Sequence, residues 1–246
     1  GLLQMSRTIS WFSCGAASAV ATKFTNSDII AYCEVGSEHH DNKRFMKDCS
    51  VWFEKDITLL KNPKFKDTWD VWEKRRYISG IGGAPCTMEL KVNPRLAFQK
   101  PDDVHVFGYT ADSSDVKRAN SLTENWPELT CKFPLIERGL TKAACMAIVE
   151  DAGLQLPEIY SFGFPNANCV PCCKATSPAY WAMVRKHFPE EFDRMAELSR
   201  RLGARLARVN GERVFVDEVP QDQELTKPLA PDCDFLCSLA EQDLKT

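Results

Sequence analysis

The 246-residue chain has no apolar run approaching the roughly 18 residues needed to cross a bilayer, and no apolar secretory segment opens it. A membrane partner is therefore excluded from the reading, and the cytoplasm is the expected compartment. Low-complexity tracts and internal repeats are also missing, which argues against a disordered chain outside its two ends and against a solenoid. Charge of one sign is not in excess: 31 Lys and Arg stand against 34 Asp and Glu, a formal net charge of -3. That balance gives no global attraction to nucleic acid, although local basic patches leave nucleic acid open as a partner.

With 44% hydrophobic and 10% aromatic residues, the chain can bury a sizeable core, and its length suits one large α/β domain with additions. Cysteine is the unusual component, with eleven in all. An odd count without an export signal points to thiols or metal rather than a disulfide framework. Cys33, Cys49, Cys131 and Cys145 sit among apolar residues in strand-like or helix-like segments, where a reduced cysteine acts as a small hydrophobe. Cys86, Cys169, Cys172, Cys173, Cys233 and Cys237 instead stand beside Gly, Pro, Asn and Asp in loop-like contexts, and these six are the candidates for chemistry.

Strand-like and helix-like segments take turns along the chain, the sign of a layered α/β fold. Residues 8–12 read as a first strand and 16–24 as the helix after it. A second unit follows, with a strand over 29–34 and an amphipathic helix over 42–54, where Phe45, Met46, Cys49 and Phe53 recur at helical spacing. Residues 104–108 form a third strand, leading into a polar helix that contains Arg118 and ends near Asn125. Such crossovers imply a mainly parallel sheet flanked by helices. Helices are expected over 141–153, 178–187 and 189–202, the last closed by Gly203. Two strands around Asn210-Gly211 then form a hairpin, because both turn positions need positive φ.

Ser13-Cys14-Gly15-Ala16-Ala17-Ser18 lies where the first strand ends and the first helix begins. Backbone N–H groups and the helix dipole favour an anion there, small residues allow close approach, and the serine hydroxyls add donors. The same segment also reads as a tight strand-to-helix turn that binds nothing. Lys91, Arg95 and Arg118 each follow a loop at the expected carboxyl edge of the sheet, where open α/β folds bind ligands, and arginine suits phosphate through its two-pronged donor set. His39 and His40 follow Gly36 at that edge as weaker candidates for touching a nucleotide or moving a proton.

Ser13, Gly15 and Ser18 resemble the Ser-Gly-Gly-x-Asp-Ser loop of the PP-loop superfamily. Cys14 and Ala17 depart from it: where ATP-cleaving members carry the magnesium-holding aspartate, this chain has Ala17, as sulfonucleotide reductases commonly do. Further matches follow. Glu34-Val35-Gly36-Ser37 is similar to an Asp-Thr-Gly element, and Cys86-Thr87-Met88-Glu89-Leu90-Lys91 resembles a Cys-Thr-x-x-Leu-Lys element. Gly108-Tyr109-Thr110-Ala111-Asp112 with Arg118 resembles a strand-end pocket element, and Asn168-Cys169-Val170-Pro171-Cys172 with Tyr180-Trp181 an Asn-Cys-x-x-Cys and Tyr-Trp pattern. Together they resemble the PAPS reductase-like proteins of phages and bacteria over residues 6–203, with 204–246 a C-terminal hairpin and cysteine-containing tail.

The resemblance implies an adenine nucleotide alpha hydrolase-like fold and an enzyme of sulfonucleotide reduction or sulfur transfer. Its substrate would be an adenine nucleotide, PAPS or ATP, bound by Ser13, Cys14, Gly15, Ala16, Ser18, Glu34, Gly36, Lys91, Gly108, Thr110 and Arg118. A thiol reductant or a sulfur-donor protein is the implied partner. Cys169-x-x-Cys172 has chelating spacing, and two completions compete: Cys86 with a tail cysteine, Cys237, gives a four-thiolate iron-sulfur set, whereas Cys233 and Cys237 give a zinc site. The resemblance favours a [4Fe-4S] cluster. Cys237, Cys233 and Cys173 are the candidate nucleophiles, although the family's Glu-Cys-Gly-x-His tail is absent. An ATP-dependent thiolation enzyme and a non-catalytic, metal-stapled nucleotide-binding module remain the alternatives.

Overall fold

Short β-branched and apolar runs bounded by polar turns fold as buried parallel strands, because helices laid on a sheet hide its side chains from water. In the computed structural model, which describes residues 5–167 and 169–222, this gives a five-stranded sheet: β1 Thr8–Trp11, β2 Ile29–Cys33, β3 Ile57–Leu60, β4 Val104–Val106 and β5 Thr130–Lys132. Every pairing is parallel and the spatial order is β3-β2-β1-β4-β5. The α/β class expected from the alternating segments is what the chain adopts. The order reverses between β1 and β4, where Ile9 pairs with Ile29 on one side and with His105 on the other. Crossover connections on either side of such a point leave a crevice at the strands' carboxyl ends.

The first, second and third expected strands are present, each ending one or two residues earlier than the pattern suggested. The edge strands β3 and β5 escape the sequence pattern. They are short, and their side chains are partly or largely exposed, so neither alternation nor a buried run marks them. The helices Ala16–Lys23, Asn42–Phe53, Ser113–Asn125 and Lys142–Asp151 belong with this sheet. Thr141 caps the last of them by accepting a hydrogen bond from the Ala144 N–H at 3.2 Å, a contact of about 1 kcal/mol.

The chain divides into two units. The first takes residues up to 34, 40–61 and 94–158; the second takes 35–39, 62–93 and residues from 159 onward. The second unit is helical around its own apolar core, which includes Trp72, Leu90, Trp181, Phe192, Met195 and Leu198. Its helices Pro178–His187 and Pro189–Leu202 have the bounds that proline at the start and Gly203 (φ 70°) at the end predict. The hairpin forms as β6 Ala207–Val209 and β7 Glu212–Val214, with Asn210 and Gly211 at φ 49° and 82°. Helix Thr68–Arg75 lacks a sequence signal as strong. Its start is set by the Asp67 carboxylate, which accepts from the Asp70 N–H at 2.8 Å. Among the described residues no helix is long and apolar enough to cross a membrane.

Candidate functional site

The loop after β1 is shaped by one unusual residue. Cys14 has φ 61°, the left-handed region that costs a residue with a side chain roughly 1 kcal/mol or more. Its side chain is fully buried, with Sγ 3.8 Å from the Asn42 carbonyl, so packing holds the turn. The kink delivers Gly15 as the N-cap of helix Ala16–Lys23. Ser18 ties the loop together: its Oγ accepts from the Ser13 N–H at 3.0 Å, lies 3.1 Å from Ser13 Oγ, and donates to the Gly15 carbonyl at 3.2 Å. Ser13 itself is exposed. The result is a helix start on a braced loop, and helix starts are where anions are favoured.

Across the reversal of strand order, Gly108 stands just beyond β4. A Cβ on Gly108 would lie 2.7 Å from Ser18 Cα and 2.8 Å from Ser18 N, so only glycine lets this strand end approach the first turn of helix Ala16–Lys23 so closely. Beyond it, the Thr110 N–H donates to Asp115 Oδ2 at 3.1 Å, while Thr110 Oγ1 lies 2.6 Å from the same oxygen and 3.0 Å from Asp112. Asp112 also accepts from the Lys142 N–H at 3.0 Å. Arg118, half-buried, donates to Asp115 Oδ1 at 3.2 Å. Ser13, Cys14, Gly15, Ala16, Ser18, Gly108, Thr110 and Arg118 thus occupy the carboxyl edge of one sheet, as the sequence predicts. Asp115, which anchors both Thr110 and Arg118, carries no motif and is legible only from the fold.

Other expected site residues are placed differently. Glu34, half-buried, donates its N–H to the Leu60 carbonyl and closes the end of β2. In the second unit Gly36 has φ 76°, and a Cβ there would fall 2.5 Å from the Lys66 carbonyl. Its glycine therefore has a packing reason. Arg95 is only 3% exposed, and burial lowers its pKa to about 9 against the thiols of Cys33 and Cys131; it is a core group, not a solvated one. His39 is buried against the rings of Phe162 and Phe188, and His40 is an exposed partner of Glu158 at 3.9 Å.

The second unit gathers four of the six candidate cysteines. Cys86 begins in the short helix Pro85–Thr87, which passes directly into a π-helical turn, Met88–Val92, carrying half-buried Lys91. Such turns recur at functional sites. Asn62 pins this segment by donating to the Glu89 carbonyl at 2.9 Å. Cys86 Sγ lies 3.6 Å from Cys173 Sγ, and both thiols are buried. The hydrogen bond with Cys173 lowers the Cys86 thiol pKa against the opposing effect of burial, and the Trp72 indole and the charges of Lys174 and Lys91 act in the same direction. Depression toward the thiolate is what ligation or nucleophilic attack requires. Cys172 is buried and donates its N–H to the Tyr180 hydroxyl at 2.6 Å, while Cys169 pairs in a short bridge with Glu38. Burial, then the neighbouring Cys172, Cys169 and Cys173, raise the Tyr180 pKa, against the lowering effect of its hydrogen bond from the Cys172 N–H.

Soft thiol donors in this number suit iron-sulfur or zinc. A tetrahedral ion with Zn–S bonds of about 2.3 Å sets its sulfurs about 3.8 Å apart, close to the Cys86–Cys173 separation. Cys86 and Cys173 are a pair, however: among the described residues these cysteines form no group of three or more ligand atoms within 4.8 Å of one another. The sequence pairs Cys86 with Cys169 and Cys172; the fold brings Cys86 into contact with Cys173, a pairing that separation along the chain conceals. Cys233 and Cys237 lie outside the described residues.

No family model matches the chain, and no curated protein sequence matches it. Among solved structures, it is similar to phosphoadenylyl-sulfate (PAPS) reductase from Candida auris in a phosphate complex, with a TM-score of 0.48 and 10% sequence identity over 69% of this chain and 84% of that one.

Proposed function

We propose that the chain is a PAPS reductase-like enzyme that binds an adenine sulfonucleotide at the carboxyl edge of its parallel sheet and carries out sulfonucleotide reduction or sulfur transfer. The observation that carries this reading is the approach of Gly108 to the backbone of Ser18 at the reversal of strand order, which joins a phosphate-type loop to a polar strand end. Ser13, Gly15, Ala16 and Ser18 cradle phosphate with N–H and hydroxyl donors. Arg118, aimed by Asp115, offsets the negative charge. Ala17 supplies no carboxylate for magnesium, which favours a sulfonucleotide over ATP, as the motif resemblance implies.

Reduction requires a thiolate to attack the sulfur of the activated sulfate. The sulfur–oxygen bond to the nucleotide breaks, the nucleotide leaves with the bridging oxygen, and a second thiol from a reductant protein releases sulfite as a disulfide forms. Cys233 and Cys237 are the proposed nucleophiles. Cys86, Cys169 and Cys172 would hold the metal centre, whose contribution when bound is a polarisable, redox-capable group.

Incubation with PAPS and a dithiol reductant is expected to release sulfite, and incubation with ATP to release no pyrophosphate; the reverse outcome assigns the chain to ATP-dependent thiolation. Arg118→Ala should weaken binding of the product nucleotide about 10- to 100-fold with an unchanged circular dichroism spectrum, the range expected for losing a charge-assisted phosphate contact.

A further inference from the structure

We infer that the β6–β7 hairpin of the second unit is a contact surface for the phosphate backbone of a nucleic-acid duplex, formed by Arg205, Arg208 and Arg213. The inference is independent of the sulfonucleotide reading and concerns a different partner. Between residues 200 and 213 the chain carries five arginines, no lysine and one acid, Glu212, although its overall net charge is -3. Two of the five are already neutralised. Arg200 holds Asp217 through contacts of 2.6 and 2.8 Å, and Arg201 holds Glu73 through contacts of 3.0 and 2.8 Å. Among the described residues, no carboxylate forms an ion pair with Arg205, Arg208 or Arg213.

The register of the hairpin sets two of these cations against each other. Ala207 pairs with Val214, Arg208 with Arg213 and Val209 with Glu212. Alternation turns Ala207, Val209 and Val214 onto the core of the second unit and sends Glu212 to that same face, so the other face carries Arg208 and Arg213, both exposed. The Arg208 N–H points out of the hairpin to the Thr176 carbonyl at 2.9 Å. Arg208 and Arg213 are therefore the non-hydrogen-bonded kind of pair, with Cα atoms about 4.5 Å apart. Like charges directly opposite in a sheet are destabilising, and an anion from outside the chain turns that repulsion into attraction. One prong of Arg213 donates to the Leu206 carbonyl at 3.1 Å, and the Arg205 guanidinium lies over the Phe215 ring, 4.9 Å from its centroid. These contacts steady two of the three guanidinium groups without cancelling their charge. Arginine's fork matches phosphate oxygens, and a duplex, with one negative charge per roughly 1.7 Å of axis, is dense enough to answer cations set this closely.

The test is fluorescence anisotropy of the full chain with a labelled duplex of arbitrary sequence, titrated at several salt concentrations. Three phosphate contacts predict a slope of about -3 when log affinity is plotted against log salt. Arg208→Ala/Arg213→Ala should weaken binding at least tenfold at low salt and make the slope shallower by about 2. Lys43→Ala/Lys47→Ala removes the same charge from exposed positions of helix Asn42–Phe53 and should leave affinity within a factor of two. Arg208→Ala relieves the cross-strand repulsion, so its melting temperature should be no lower than that of the wild-type chain, which separates a lost contact from a lost fold. Equal weakening in the two double variants would reduce the effect to net charge and overturn the inference. No binding at the lowest salt would overturn it as well. Tighter binding of a single strand of the same length, or displacement by polyglutamate as effective as by unlabelled duplex, would overturn it by giving the face to a single strand or to an acidic protein.

Discussion

The two chemical regions of this molecule are built by opposite means. At the sheet edge of the first unit the candidate groups are backbone N–H groups, and what shapes their segment is conformation: a left-handed Cys14, an N-cap glycine, and a Gly108 without a side chain to hold the strand end off the first turn of helix Ala16–Lys23. In the second unit the candidate groups are side chains, the thiols of Cys86 and Cys173, 87 positions apart in the chain and 3.6 Å apart in space, with a phenol, an indole and an amide bracing the segments around them. A site made of backbone tolerates changes of side chain but not of steric volume. A site made of thiols tolerates volume but not chemistry.

The largest expected effect sharpens the first half of that contrast. Gly108→Val places atoms within 3 Å of the Ser18 backbone, where no flexible side chain can give way. Overpacking of this kind costs about 1–3 kcal/mol and moves the loop. Chemical denaturation should show that loss, and calorimetric titration with the product nucleotide should show binding reduced by at least 100-fold. Cys14→Ala, by contrast, leaves the backbone donors in place; an equal loss of binding there would break the comparison.

A smaller effect is expected in the second unit from Tyr180→Phe, which keeps the ring and removes the acceptor of the Cys172 N–H. A buried donor left without its partner costs about 1–3 kcal/mol. Thermal unfolding should report the loss, and metal dissociation into a chelator should be several-fold faster, while nucleotide affinity stays within a factor of two. A Tyr180→Phe protein with unaltered metal release would show that the hydroxyl does not orient the thiols.

What the sequence discloses follows the same division. The strand-to-helix turn at residues 13–18, the strand end at Gly108 and Thr110, and the hairpin at Asn210-Gly211 are legible because each is a local rule about backbone shape, written in consecutive residues. The parallel sheet is legible from its three buried strands, whereas β3 and β5, at the edges, leave too little apolar pattern to be seen. Candidate cysteines could be selected from their loop contexts, but their pairing could not. Nothing in the order of residues says that Cys86 meets Cys173 and not a more distant thiol, since that depends on how helix Thr68–Arg75 and the Pro178–His187 helix pack. Asp115 was missed for a related reason: a lone carboxylate on a polar helix reads as solvated, and only the fold shows it buried under Thr110 and Arg118. Arg95 and Gly36 show the converse, since residues that look functional by position have packing reasons for their identity.

The most direct test of the central claim is amide hydrogen exchange with and without the product nucleotide of PAPS reduction. Binding at the carboxyl edge of the sheet should slow exchange in residues 13–18 and 108–112, where the N–H donors and the strand end meet. Unchanged exchange in both segments at saturating nucleotide, or slowing confined to other parts of the chain, would contradict the account.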